Sequence, residues 1–279
     1  MNVIKIYSKN ASYQKFEALK SNRNKRHKYG EFMIEGVKNI NASIKNRWHI
    51  KHFLYSSEAH LSDWAKNLFY EINTEANYDL RYELLSELSG KENASEIIAV
   101  ADMKREEINI DVLHRNPIFV LLDRPSNKGN LGAMIRSCDA FGVSGLIITG
   151  HSVDIYDPDV IVASMGSFFT LPFIRLETNS QTDAFISSIS KIRPNLKIIG
   201  TTAHTQTAIF DVDLTAPVIF FIGNEADGLN NYLKEASGRF AAIPMDASSE
   251  ATSLNISCAL TVMLYETARQ RKQANTAPT

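Results

Sequence analysis

The sequence predicts an α/β protein in two parts, a small α/β domain followed by a larger one built on a parallel sheet. A chain of 279 residues is longer than one typical domain and can supply each part with its own core. From Pro117 onward, strand-length apolar runs recur at 118–122 (IFVLL), 145–149 (GLIIT), 196–200 (LKIIG) and 218–222 (VIFFI), with helical patterns between them. Runs that do not alternate belong to strands buried on both faces, the condition of a parallel sheet covered by helices. Between the two parts, MKREEINIDVLHRN at 103–116 is densely charged and precedes a strong strand, which suits a domain connection.

In chain order, SYQKFEALK has the apolar spacing of a helix, while HIKHFLYS and EIIAVADM resemble short strands. FMIEGVKNINASI, Phe32 to Ile44, opens apolar and then sets Ile34, Val37, Ile40 and Ile44 at helical spacing, with Gly36 where the helix begins. Core packing accounts for those apolar positions. The expected division is a first domain over 1–104, a connection over 105–116, a second domain over 117–274 and a tail over 275–279. The closing KQANTAPT reads as loose chain.

Composition narrows the function classes. Hydrophobic residues at 44% and charged residues at 22% belong to a globular protein, not a disordered or fibrous one. The two cysteines, Cys138 and Cys258, fall in helical patterns and cannot build a disulfide framework or a Cys-based zinc site, which fits a reducing compartment. The N-terminal segment lacks the apolar run of about 7–15 residues of a signal peptide, and no stretch approaches about 18 apolar residues. A cytoplasmic, soluble protein without a membrane partner is expected. The net charge of −1 hides an asymmetry: residues 1–52 carry twelve Lys and Arg against Glu17, Glu31 and Glu35. The densest part, KSNRNKRHKYG, is either a solvated surface run or a patch that attracts polyanions.

Three later stretches hold the polar residues of interest. Residues 118–150 read as strand, loop, helix, turn and strand, with Asn127, Gly129 and Asn130 where the loop becomes helix and Arg136 six residues beyond Asn130. Backbone N–H groups at such a junction can hold an anion; alternatively the glycines shape a tight loop and Arg136 joins a surface ion pair. Neither G-x-G-x-x-G nor G-x-x-x-x-G-K-[ST] occurs, which disfavours dinucleotide oxidoreductases and phosphate-loop phosphotransferases. VIFFIGNEADGLNNYL at 218–233 runs from a buried type of strand into Gly223, Asn224, Glu225 and Gly228, at a carboxyl end of the sheet where ligands gather. Glu225 could equally cap the next helix. Residues 239–271 give a short strand, a polar loop and a long helix opened by Thr252 or Ser253, with Ser253 and Asn255 in its first turn. Capping explains Ser253; Asn255 adds little to helix propensity and calls for another reason.

Together and in this order, N-K-G-N-L-G-A-M-I-R, I-G-N-E-A-D-G-L, and I-P-M followed by S-L-N-I-S resemble the three motifs of the SpoU/TrmH-like branch of the SPOUT RNA 2'-O-ribose methyltransferases, over about residues 117–270. The resemblance implies S-adenosylmethionine as cofactor, a parallel SPOUT sheet with a trefoil knot, and a homodimer with its active site at the interface. It implies Asn130, Arg136, Glu225, Ser253 and Asn255 as catalytic-motif residues, and Gly223, Ile243 and Leu254 as cofactor positions, with Thr201, Thr202 and Ala203 adding to that grip. Lys128 departs from a common proline, and the DASSEAT loop is long and lacks a common glycine. The N-terminal part resembles a ribosomal-protein-like RNA-binding domain, with FMIEG as its most recognisable piece.

On that resemblance, methyl transfer needs an aligned ribose oxygen and no metal. A guanidinium with a pKa above about 12 is a poor base, so Arg136 is expected to hold a phosphate and stabilise an alkoxide while the other four orient the ribose. Arg23, Lys25, Arg26 and Lys28 are expected to contact RNA phosphates. Large-subunit ribosomal RNA is the first expectation for the substrate, with tRNA and a non-catalytic RNA-binding role as alternatives.

Overall fold

A computed structural model describes residues 2–91 and 94–276, and the chain divides into two compact units. The first comprises Met1–Arg105 together with Asp154–Thr170; the second comprises Glu106–Val153 and Leu171–Thr279. Membership of 154–170 in the first unit has no counterpart in the sequence reading, because no local pattern marks a segment that packs so far back along the chain.

The first unit runs β1 (Val3–Ile6), α1 (Ala11–Ser21), α2 (Arg23–Tyr29), β2 (Glu31–Glu35), α3 (Val37–Lys45), β3 (Ile50–Tyr55), α4 (Asp63–Glu71), β4 (Asn77–Leu80), α5 (Tyr82–Ser89) and β5 (Ile97–Asp102). The strands form one mixed sheet in the order β1-β4-β3-β5-β2, parallel at β1/β4 and β4/β3, antiparallel at β3/β5 and β5/β2. Asn10 caps α1 by accepting from the Tyr13 N–H at 3.0 Å, and Tyr13, Phe16 and Leu19 bury one face of that helix. Asn22 ends α1 and caps α2, and Gly30 ends α2 at φ +65°. Gly36 starts α3 at φ +97°, where its lack of a side chain is needed. Of the four spaced apolar positions, Ile34 lies in β2 and Ile40 is buried, but Val37 is 51% exposed at the helix start.

In the added segment, α7 (Pro158–Ser164) opens with Pro158 in its first turn behind an Asp157 cap. Tyr156, Phe168 and Phe169 interlock there with Phe32 and Trp48, with ring centroids 5.0–5.8 Å apart for Phe32 against Trp48, Tyr156 and Phe168. The Trp48 Nε1–H donates to the Phe169 carbonyl at 3.1 Å.

Arg26 corrects the sequence expectation. It is 1% exposed, with Nε donating to Asp154 at 2.7 Å, Nη2 to Asp157 at 3.2 Å, and Nη1 to the Leu19 and Lys20 carbonyls. A guanidinium enclosed in this way is unavailable to a phosphate. α2 sets Arg26 inward, whereas Lys25 and Lys28 are exposed and Arg23 is half-buried.

The second unit holds β6 (Ile118–Asp123), α6 (Lys128–Ala140), β7 (Gly145–Thr149), β8 (Phe173–Leu176), α8 (Asn179–Ile192), β9 (Lys197–Thr201), β10 (Val218–Ile222), α9 (Asn231–Ala236), β11 (Arg239–Ala241) and α10 (Ile256–Thr276). All six strands are parallel, in the order β11-β9-β10-β6-β7-β8. Central β6 and β10 are buried at every position, as their unbroken apolar runs require. Edge strand β8 has half-buried Ile174 and Arg175 and so lacks the pattern that betrays the others. Ile108, Ile110 and Leu113, from the charged stretch before β6, pack against this core. The Ser137 and Thr261 hydroxyls meet at 2.7 Å between α6 and α10. α10 reaches Thr276, so most of the supposed loose end is helical; residues 277–279 lie outside those described.

Candidate active site

A cavity of about 430 Å³ opens at the carboxyl ends of β9 and β10, where parallel strands release their loops. Its lining includes apolar Ile222, Ile243, Met245, Leu254 and Met263 and polar Asn130, Glu225, Ser253 and Asn255. The size suits a nucleoside-containing ligand, since small-molecule pockets span roughly 300–1,000 Å³. Thr201, Thr202, Ala203 and Gly223 complete the lining. The structure therefore brings together all the sequence-derived site positions of the three motifs and the TTA turn except Arg136.

Each polar side chain is placed by local chain chemistry. α6 starts after Asn127, whose side chain accepts from the Asn130 N–H at 2.9 Å and sets Asn130 in the first turn. The Asn130 Nδ2 donates to Glu225 Oε1 at 3.2 Å, and its Oδ1 accepts from Asn255 Nδ2 at 3.1 Å. Ser126 donates to the other Glu225 oxygen, through Oγ at 2.8 Å and through its backbone N–H at 3.4 Å. Burial pushes the Glu225 carboxyl up, but hydrogen bonds from Ser126, from the backbone and from Asn130 outweigh it and hold the group below the usual carboxylate range. Glu225 is thus an anchored anion and a weak base.

Asn255 stands one residue ahead of α10 and caps it, with Oδ1 accepting from the Ser257 N–H at 2.9 Å and the Cys258 N–H at 3.4 Å. The sequence placed Ser253 and Asn255 inside the first turn; both precede it, and Ser253 and Leu254 lie in the exposed loop before the helix. Capping and site contact are the two jobs that explain an asparagine here.

Gly223 is required by close approach. A Cβ there would lie 2.3 Å from the Gly228 carbonyl carbon and 2.4 Å from the Leu229 nitrogen, both backbone atoms. The chain doubles back at once, with Asn224 and Gly228 exchanging N–H···O bonds of 3.0 Å in both directions. Arg136 is exposed on α6 and does not line the cavity. Six residues beyond Asn130, it has turned about 240° around the helix and risen about 9 Å. Ser126 and Met263 belong to the site but escaped the sequence reading, whereas Asn224 and Met245 fall inside its second and third motif stretches. Ser126 had a signal, since it falls between the β6 end and the Asn127 cap; Met263 had none beyond ordinary core pattern.

Among the described residues no group of three His, Cys, Asp or Glu side chains could hold a metal ion, and no helix is long and apolar enough to cross a membrane.

Residues 117–265 match the SpoU rRNA Methylase family, and residues 10–99 match the SpoU L30e-like domain. A 23S rRNA (uridine(2479)-2'-O)-methyltransferase of Streptomyces viridochromogenes is 37% identical over 276 residues, covering 99% of this chain and 95% of that protein. The 23S rRNA (guanosine-2'-O-)-methyltransferase RlmB of Coxiella burnetii is 30% identical over 202 residues, 72% of this chain and 75% of that one. Among solved structures, the SpoU methyltransferase AviRb of Streptomyces viridochromogenes in complex with AdoMet superposes with a TM-score of 0.88 at 35% identity, over 94% of this chain and 98% of that one.

Proposed function

Because this chain belongs to the SpoU rRNA methylase family, we propose that it transfers a methyl group from S-adenosylmethionine to a ribose 2'-hydroxyl of 23S ribosomal RNA. The observation that carries this reading is one cavity whose apolar and hydrogen-bonded polar lining residues are drawn from all three motifs. The residues fit the cofactor: apolar Ile222, Ile243 and Leu254 suit an adenine, a glycine at 223 lets the 223–228 turn fold tightly at the cavity's edge, and an anionic Glu225 complements a sulfonium. When bound, that cofactor supplies an electrophilic methyl.

The chain's own part is positioning. Glu225 and Asn255 fix both ends of the Asn130 amide, so its remaining N–H has a defined direction toward a ribose, and Ser253 lines the same cavity. Arg136 holds the target phosphate and stabilises the developing alkoxide, and its place outside the cavity of its own chain is accounted for by a homodimer in which it serves the partner's site. The trefoil threading belongs to the same reading. In the first unit, Arg23, Lys25 and Lys28 contact RNA phosphates, and the L30e-like match supports that role. A cytoplasmic location belongs to the same proposal, and the unpaired Cys138 and Cys258 support it.

The test is methyl incorporation from labelled S-adenosylmethionine into 23S rRNA and tRNA transcripts, with Arg136→Ala alongside. Label in 23S rRNA is expected, lost in Arg136→Ala while cofactor binding persists. Label in tRNA alone would replace the substrate, and near-normal turnover of Arg136→Ala would remove Arg136 from the mechanism.

A further inference from the structure

Asp123, the last residue of β6, and Arg124 after it do not themselves line the cavity, yet they hold the hairpin that carries Glu225. Arg124 sits at φ +51°, a left-handed conformation that strains a non-glycine residue. Glycine would occupy that position without cost, so the side chain must return something. Gly150, itself at φ +64°, leaves the space the arginine stem needs: a Cβ on it would fall 2.6 Å from Arg124 Cγ.

The guanidinium grips in two directions. Toward the core, Nε and Nη2 bind the two oxygens of Asp123 at 3.1 and 3.0 Å. Asp123 is 1% exposed and also accepts from the backbone N–H and Nδ2 of Asn230 at 2.8 and 3.0 Å, so its carboxylate is a fixed anchor. Toward the hairpin, Nη2 donates to the Gly228 carbonyl at 3.2 Å, and Nη1 stands 3.8 Å from Asp227. The Arg124 carbonyl accepts from Asn224 Nδ2 at 2.7 Å. Both ends of the 224–228 loop are therefore tied to one residue, and Glu225 lies between the ties. Asn224 tightens the loop further, its Oδ1 accepting from the Ala226 N–H at 2.9 Å.

We propose that Asp123 and Arg124 form a clamp that holds the Gly223–Gly228 wall of the cavity closed enough to bind the cofactor, making both positioning residues for methyl transfer. The clamp rests on the proposed S-adenosylmethionine site. It acts through the hairpin backbone, so its loss loosens that hairpin and weakens cofactor binding while leaving RNA binding by the rest of the chain in place.

Two variants of the full chain test this. Arg124→Lys keeps the charge and loses the two-way fork. The double variant Asp123→Asn with Arg124→Gly relieves the backbone strain and leaves no unpaired buried carboxylate, so it folds even if the first does not. Each is titrated with S-adenosylmethionine by calorimetry and with 23S rRNA by filter binding, and amide exchange is followed at Asn224 and Gly228. The expected result is about 10-fold weaker cofactor binding, the loss of one charge-assisted hydrogen bond. RNA affinity stays unchanged, and exchange quickens at the hairpin only. Wild-type protein that binds no S-adenosylmethionine would overturn the reading of the site. Wild-type binding matched within twofold by both variants, or exchange that quickens across the whole sheet, would overturn the clamp.

Discussion

Replacing Arg26 with methionine separates a structural arginine from an RNA-binding one. Its removal takes away the guanidinium that pairs with Asp154 at 2.7 Å and Asp157 at 3.2 Å, both buried with it. Asp154 would keep the Tyr156 N–H at 3.2 Å and His27 Nε2 at 3.3 Å, and Asp157 would keep the Asp159 N–H at 3.1 Å. Breaking a buried ion pair from one side costs about 3–5 kcal/mol. In a unit of this size each kcal/mol moves a thermal midpoint by about 4 °C, so a fall of about 10–20 °C is expected. Differential scanning calorimetry of the full chain reads it directly. Adding Asp154→Asn should recover part of the loss, because one uncompensated charge is gone. Lys25→Ala and Lys28→Ala, both exposed, should leave the midpoint within about 2 °C and lower the salt slope of RNA binding by about 0.7–0.9 each. An Arg26→Met midpoint within about 2 °C of wild type, or a failure of Asp154→Asn to restore any of it, would refute the buried triad.

Gly223→Ala should abolish S-adenosylmethionine binding, since its Cβ meets backbone at 2.3 and 2.4 Å and nothing there can rotate away; tight binding by calorimetry would show that the 223–228 turn is not part of the site. Glu225→Gln exchanges an acceptor of three donors for an amide that can satisfy only some of them. At about 1.5–3 kcal/mol for a charged hydrogen bond, kcat/KM should fall about 10- to 100-fold, and a change under twofold would exclude Glu225 from the positioning network. His52 is buried, and burial lowers its pKa against the opposing pull of the Ala76 carbonyl. As pH falls through the ordinary value of about 6.5, the unfolded chain takes up a proton that the folded chain refuses, so stability drops. His52→Gln should flatten the fall of the thermal midpoint between pH 7.5 and 5.5; an unaltered slope would assign that dependence elsewhere.

Much of the second unit was legible because its strands are buried on both faces and its loops carry the polar motifs. IFVLL and VIFFI announce themselves as central strands, and Gly223 and Asn255 stand out where a side chain would clash or adds nothing to a helix. What stayed hidden depended on distant partners. The inward turn of Arg26 is decided by Asp154 and Asp157, 128 and 131 residues away, and charge density along α2 looks the same whether a guanidinium faces solvent or core. β8 was missed because an edge strand may carry Arg175 in place of an apolar run. The role of Arg124 was invisible because its value lies in a backbone conformation and in the Gly150 space beside it.

The most direct test of the central claim is the chemical identity of the product. 23S rRNA is incubated with the protein and methyl-labelled S-adenosylmethionine and then hydrolysed in alkali, which cannot cleave beside a 2'-O-methyl ribose. Label recovered in an alkali-resistant dinucleotide is the result this account predicts. Label recovered in a mononucleotide, as base methylation would give, or no label in 23S rRNA at all, would contradict it.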